Sequence, residues 1–388
     1  MKHIKARKKW VTKFFVILLF TITFYNIGSV IFPQYRTYIN PYYTEAVYKN
    51  LEDAFNHSQY RQKNPTAIIP DDTVFSYAAG AYLRGLDPIY VNSETTPLGK
   101  YFIALCIALL KNDRFIVIPF GLFTLFMTWL LAQKLINNKI LAFLPVTLLS
   151  YEKLFLNQFI YTPLLDIIQL PFILLTLYVF IIENKKQNFI FTAISLGFVM
   201  ATKTVIPAIL LMTCFVMYFF LYKQYQMLLK FFFALPLSVG ILVFSYTRTF
   251  LDGYTLVDFY KFQKWIFLYQ KSKLLFPLSV WRLIFLNQWQ TWWGSMILLR
   301  ADDWQITWPL FTSLGLITGM LTLLKKLKSN QVAVVLLLWF FIYGAFLSLG
   351  VVSSRFLLPF LPVVFIIGAY LTEQVYSSLK ISHKKRNV

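Results

Sequence analysis

Charge is scarce in this chain and acid is scarcer: 14% of the 388 residues are charged, and Asp and Glu number 16 against 37 Lys and Arg. A soluble domain carries about 25% charged and about 45–50% apolar residues, whereas 58% of this sequence is hydrophobic. Histidine is confined to His3, His57 and His383, and cysteine to Cys106 and Cys214, both inside apolar runs. That leaves no histidine cluster for a metal and little basis for a disulfide framework. P-loop and dinucleotide-binding glycine patterns are missing, as are internal repeats, Gly/Ser linkers and low-complexity stretches. A nucleotide-driven motor and a transferase with a soluble nucleotide-sugar domain are thereby disfavoured. What is plentiful is aromatic: 40 Phe, 24 Tyr and 10 Trp supply far more apolar surface than a disordered nucleic-acid-binding tail has. The composition describes an all-α polytopic membrane protein.

Apolar stretches of about 20 residues, the length of a helical span, fall at 11–32, 115–133, 161–182, 204–222, 228–247, 307–324, 331–350 and 355–373, with shorter ones at 138–150 and 188–203. The run Tyr101 to Leu110 is too short to be a full span. The first stretch is too long for a cleaved signal peptide, and Phe32-Pro33-Gln34-Tyr35 offers no small-residue cleavage site, so it reads as a retained helix. Lys and Arg favour the cytoplasmic side. This puts inside the tail with Lys2, Lys5, Arg7, Lys8 and Lys9, the connections 134–139, 183–186, 223–230 and 325–328, and the end with Lys380, Lys384, Lys385 and Arg386. That parity holds for about ten crossings, with 98–110 as a re-entrant or membrane-surface helix.

The expected fold is a bundle of about 10–11 membrane helices, one domain over 1–373, followed by a basic cytoplasmic tail at 374–388. Both termini then face the cytoplasm, and two long segments, about 33–114 and 248–305, lie outside. The net charge of +21 becomes an orienting excess, so nucleic acid is not needed to explain it. Most acids fall outside, among them Glu45, Glu52, Asp53, Asp71, Asp72, Asp87, Glu94, Asp252, Asp258, Asp302 and Asp303. Shorter outer connections carry Glu152, Asp166, Lys203 and Arg355. Long loops are uncommon unless functional, which directs the search for chemistry to the outer face.

The first outer loop contains Pro70-Asp71-Asp72 ahead of a helix-like apolar run to Leu83, then Arg84-Gly85 as a helix stop. A carboxylate at such a start caps free N–H groups. Glu94-Thr95-Thr96-Pro97-Leu98-Gly99-Lys100 follows, leading into the embedded run. An acidic pair, a short helix and a Pro-Leu-Gly-Lys step resemble the first lumenal loop of the protein O-mannosyltransferases, and Glu94 to Leu98 partly matches the Glu-Lys-Pro-Pro-Leu step of the lipid A aminoarabinose transferases. Both belong to the GT-C class of integral-membrane glycosyltransferases. This chain departs from their pattern in Asp72 where the mannosyltransferases have Glu, in Thr96 for the first Pro and in Thr95 for His or Lys. The resemblance extends to Arg114 at a helix start, Asp166 at the second acidic position, Gly197 to Lys203, and Ser354-Arg355 to Pro362. It implies a donor of the polyprenyl-phosphate-sugar type, mannose among the candidate sugars, and an acceptor on protein, lipid or glycan at the extracytoplasmic face of an integral membrane protein, the plasma membrane in a prokaryote.

On that reading Asp71 is the candidate base for the acceptor hydroxyl, since burial raises the proton affinity of a carboxylate. Asp72 partners it. Glu94 and Asp166 position a sugar or acceptor and leave room for a divalent cation, although no cofactor is required. The leaving phosphate would meet Arg114, Lys203 or Arg355, because cations at membrane depth are costly and mark a function or a partner. Direct attack by the acceptor on the anomeric carbon would invert its configuration, and retention would instead need a double displacement through a positioned carboxylate nucleophile. Trp281, Trp289, Trp292, Trp293, Trp304 and Trp308 in the second outer segment form either an aromatic belt or a stacking wall over the sugar. That segment is only about 58 residues long, and the resembled mannosyltransferases carry a large insertion there. Two other functions fit a chain with charges at the membrane: a transporter or flippase of lipid-linked sugars, and a surface-polysaccharide polymerase or ligase. The concentration of acids in one outer loop favours the transferase over both.

Overall fold

The computed structural model describes residues 2–271, 277–291, 297–324, 330–350 and 352–386. Helices dominate, and the strands among the described residues form one two-residue ribbon, Trp289–Gln290 against Leu298–Leu299. In lipid every backbone polar group must be satisfied within its own segment, which leaves helices as the solution for a chain of this composition.

The apolar stretches become helices at Lys2–Ile31, Val117–Leu135, Lys139–Tyr151 with Lys153–Ile160, Leu165–Lys186, Ile190–Thr202, Ile206–Leu221, Tyr225–Ala234 with Pro236–Ser245, Thr307–Leu323, Gln331–Leu347 and Leu361–Arg386. Four are long and apolar enough to cross a membrane by themselves, or five if the pair 139–160, bent by 53°, is one span. The fold is thus an all-α polytopic membrane bundle.

Leu98–Leu110 and Ile190–Thr202 each have 13 residues but are used differently. Ile190–Thr202 packs along Leu165–Lys186 and Pro236–Ser245. At its start the Glu183 carboxylate accepts the N–H groups of Phe191 (3.0 Å) and Thr192 (2.7 Å), and at its far end the Lys203 carbonyl accepts from Thr96 N–H (3.0 Å). Leu98–Leu110 starts at that same Thr96 and ends where Lys111, turned back at φ 51°, gives its carbonyl to the N–H groups of Tyr42 and Tyr43. Both of its ends are therefore fastened to the first loop.

Leu165–Lys186 is apolar on all sides and lies at the centre, packed on Val117–Leu135 and Ile190–Thr202. The first helix and Tyr225–Ser245 are peripheral and turn Phe14, Phe20, Phe24, Phe233 and Phe244 outward, a surface suited to lipid. Acids at the end opposite the first loop close helix turns: Glu373 accepts the N–H groups of Asn137 and Asn138, much as Glu183 serves Phe191 and Thr192. Cys106 and Cys214 are buried and unbridged.

Gly99 lets the start of Leu98–Leu110 lie directly on the end of Ile190–Thr202, since a Cβ there would collide with the Thr202 carbonyl and the Leu165 side chain. Gly240 meets nothing within 4 Å. Gly99→Val should lower stability by about 1–3 kcal/mol through overpacking and Gly240→Ala should be neutral, with the difference read from thermal unfolding in detergent.

Candidate active site

The helix Asp71–Leu83 is the platform of the site. Its residues from Val74 to Tyr82 are buried, whereas the first turn, with Asp71 and Asp72, is half-buried. Gln59 grips Ile69, two residues before the helix, from both sides, accepting its N–H (3.0 Å) and donating to its carbonyl (2.7 Å). At the far end Gly85, at φ 80°, closes the helix with Leu86 N–H on the Ala81 carbonyl. The expected carboxylate cap is only local: Asp72 accepts from the adjacent Thr73 N–H (2.9 Å), and Asp71 turns away.

Asp71 is held from two directions. Its Oδ1 accepts from the Tyr60 hydroxyl (2.8 Å) and its Oδ2 meets Arg355 Nη1 at 2.6 Å. Arg355 sits on the turn Ser354–Leu357, steadied by Ser354 Oγ donating to Asp303 (2.8 Å) and by the Tyr343 hydroxyl donating to the Phe356 carbonyl (2.9 Å). Beside it, Lys203 Nζ donates to Asp166 Oδ1 at 2.5 Å. Asp166 opens the central helix and Lys203 closes Ile190–Thr202, so the pair locks two helix ends together. Gln169, one turn after Asp166, reinforces the lock through the Val199 and Thr204 carbonyls (2.9 and 3.0 Å). The two pairs feel one another, with Lys203 acting on Asp71 and Asp166 on Arg355.

The two loop acids differ in proton affinity. Burial pushes Asp71 up, but Arg355, the Tyr60 hydroxyl and Lys203 more than offset it, and the carboxyl lies below its usual value. Burial raises Asp72, only partly opposed by Thr73 N–H and Arg114. The raised affinity expected at Asp71 is therefore found at its neighbour, because only Asp71 has a guanidinium in contact. Burial and the adjacent Asp71 also raise the Tyr60 phenol, which stays a donor.

Arg114 approaches from the Asp72 side. It lies 5.1 Å from the Tyr42 ring centroid and 4.0 Å from Asp113, whose oxygens already accept from Tyr42 and Ser76. Its side chain is 40% exposed, and its Nε is buried without a partner. Glu94, close enough to Tyr60 and Lys100 to act on both, sits in the turn Asn92 to Thr96. The fully buried Lys100 braces that turn, donating to the Asn92 carbonyl (2.8 Å), Asn92 Oδ1 (3.2 Å) and the Thr95 carbonyl (3.0 Å). The structure thus gathers Asp71, Asp166, Lys203 and Arg355 in one cluster, with Glu94 and Asp72–Arg114 at its flanks.

Trp292 and Trp293 lie outside the described residues. Among the other tryptophans, indole N–H groups hold loops: Trp281 donates to Ser348 Oγ (2.8 Å), Trp304 to the Ile284 carbonyl (2.9 Å) and the fully buried Trp308 to Glu152 (2.9 Å). These three serve as braces rather than as a belt or an open stacking wall. Among the described residues no three of His, Cys, Asp and Glu gather to hold a metal ion. Tyr60 and the bracing role of Lys100 were missed by the sequence reading. Tyr60 carries no signal in its polar surroundings, whereas a lysine in the first turn of an apolar helix was a visible anomaly.

No family model matches the sequence, and no curated protein matches it. Solved structures do match. ArnT from Cupriavidus metallidurans in the apo state superposes with a TM-score of 0.58 at 12% identity, over 94% of this chain and 60% of that one. The same protein bound to undecaprenyl phosphate gives 0.51 at 12% identity, over 78% of this chain and 55% of that one. The likeness is one of fold: this is a polytopic membrane protein with the helical architecture of ArnT. The chain spans about 60% of the length of that ArnT chain.

Two outcomes test the ion pairs. Lys203→Met leaves Asp166 buried and unpaired, which should cost about 3–5 kcal/mol, and adding Asp166→Asn should recover most of it in thermal unfolding. Because the folded Asp71 carboxyl lies below its usual value near 3.8, its stabilising contribution is complete above that value and is lost as pH falls through the lower folded one. Asp71→Asn should accordingly flatten the acid limb of stability below about pH 4.

Proposed function

We propose that this protein is a membrane glycosyltransferase that moves a sugar from a polyprenyl-phosphate carrier to an acceptor hydroxyl on a lipid, protein or glycan. The observation that carries the reading is the meeting of Asp71, Arg355, Lys203 and Asp166, from four separate elements, at one end of a bundle with the GT-C fold. Nothing in packing alone requires four charges at that depth, and such groups usually mark function. The binding of undecaprenyl phosphate by ArnT supplies the donor class.

In this scheme the acceptor oxygen attacks the anomeric carbon as the bond from that carbon to the phosphate oxygen breaks. Asp71 takes the hydroxyl proton, and the electron pair of the broken bond leaves on the lipid phosphate. Arg355, Lys203 and Arg114 balance the phosphate charge. Glu94 and Asp72 orient the sugar and acceptor, and the single displacement inverts the anomeric centre. A transporter would set its charges at the bilayer midplane on broken helices, whereas here they sit at helix ends.

The basic connections support an orientation. Lys134, Lys139, Lys185, Lys186, Lys223 and Lys230 lie at helix ends remote in the chain from the site residues, and the bias of Lys and Arg toward the cytoplasm would set them inside, with the site on the outer face and both termini inside.

Reconstitution with a panel of polyprenyl-phosphate sugars should show release of the phosphate lipid, and Asp71→Asn should reduce transfer by about 10²–10⁴-fold. Full transfer by that variant would remove Asp71 from catalysis, and no release by the wild type would end the transferase reading. Cysteines at the exposed Lys63 and Gln226 should label from outside and inside respectively, and the reverse pattern would invert the orientation.

A further inference from the structure

We propose that Arg355 is a switched phosphate ligand: Asp71 occupies it in the resting protein, and the donor phosphate takes it over, uncovering Asp71 as the base. The inference rests on the transferase reading above and adds an order of events within it.

In the resting arrangement neither residue can do what its position suggests. Arg355 has a carboxylate oxygen 2.6 Å from Nη1, in the place a phosphate oxygen would take, and Asp71 has both oxygens engaged. The remedy is an exchange of anions. A sugar phosphodiester carries one negative charge, as the Asp71 carboxylate does, so the guanidinium loses no charge balance when one replaces the other. The planar fork of arginine suits either anion.

The neighbouring pair shows which contact is built to open. Lys203 and Asp166 keep side-chain exposures of only 14% and 7%, close two helix ends and are backed by Gln169 and Thr96. Arg355 and Asp71 keep 30% and 28%, and Arg355 stands on a single four-residue 3-10 turn rather than at the end of a long α-helix. The fixed pair holds the bundle together, and the exposed pair is reachable by a ligand.

Tyr60 completes the device. Its hydroxyl keeps Asp71 Oδ1 after Arg355 has left, so the released carboxylate stays in place with Oδ2 uncovered. Burial then acts without the opposing guanidinium contact and increases the proton affinity of the carboxylate. Tyr60 is in this sense a positioning residue for Asp71. Donor binding and base activation become one event, and the base stays masked while the donor is absent.

The test is the affinity of the full chain in detergent for undecaprenyl phosphate, read by native mass spectrometry alongside thermal unfolding. A ligand whose site is mostly self-occupied binds more weakly by the fraction of time the site is free. Asp71→Asn, although inactive in transfer, should therefore bind about tenfold more tightly than wild type if the pair is closed about nine-tenths of the time. Arg355→Gln should weaken binding, and combined with Asp71→Asn it should abolish the gain. Tyr60→Phe, which leaves Asp71 leaning wholly on Arg355, should weaken binding about two- to threefold and carries the test if Asp71→Asn does not fold. Equal or weaker binding by Asp71→Asn, or a gain that persists without Arg355, would overturn the exchange while leaving the transferase reading intact. Absence of binding by the folded wild type would overturn both.

Discussion

A charge brought to the edge of a bilayer loses most of its hydration, and the loss is tolerable only where an opposite charge and hydrogen bonds replace it. That constraint organises the upper end of this bundle. Asp166 and Lys203 terminate two apolar helices whose packing brings their ends together, and the 2.5 Å contact between them sets the relative height of those helices. Thr96 then docks on the Lys203 backbone, and Gly99 allows the following helix to lie against Thr202. The first loop is thus fastened to the bundle at the place where its paired acids must stand.

The wealth of tyrosine and tryptophan has the same origin. A loop folded against apolar helices leaves carbonyls and carboxylates in need of donors, and a Lys or Arg supplied for each would bring further charge to be neutralised. Tyrosine and tryptophan give a single neutral donor on an apolar body. Tyr38 donates to the Phe159 carbonyl, Tyr43 to Ser76, Tyr343 to Phe356 and Trp339 to Pro359, each tying a loop to a helix or a helix end to its neighbour. Trp308 reaches a buried carboxylate, Glu152. Abundance of aromatics and scarcity of charge are two sides of one solution.

Much of this was legible in the sequence because membrane solvation restricts the options. The apolar stretches mark the helices, and Asp166, Lys203 and Arg355 stand out as ionisable residues at span ends. Less legible was which charge meets which. Asp71 and Arg355 are 284 positions apart, and no local pattern announces their contact. The protonation contrast between Asp71 and Asp72 follows from that contact, so it too was hidden: adjacent residues on a helix start look alike until a guanidinium reaches one of them. Tyr60 lies in a polar stretch without periodicity, and only the folded loop brings its hydroxyl to Asp71.

The charges around the site are close to balance. Asp71, Asp72, Glu94, Asp113 and Asp166 face Lys100, Arg114, Lys203 and Arg355, one acid more than there are cations, so the site is no positive funnel waiting for a phosphate. An anion entering such a site cannot simply be added, because it would meet cations already matched and acids that repel it. It has to displace a carboxylate or find a cation that is poorly matched. Arg114, 4.0 Å from an Asp113 whose oxygens are already engaged, is the poorly matched cation, and Arg355 in the exposed pair is the one whose carboxylate can be displaced. Arg114 acts on Asp72 and Arg355 contacts Asp71, so both serve the start of the Asp71–Leu83 helix, whose positive dipole end adds to the pull of each on an anion.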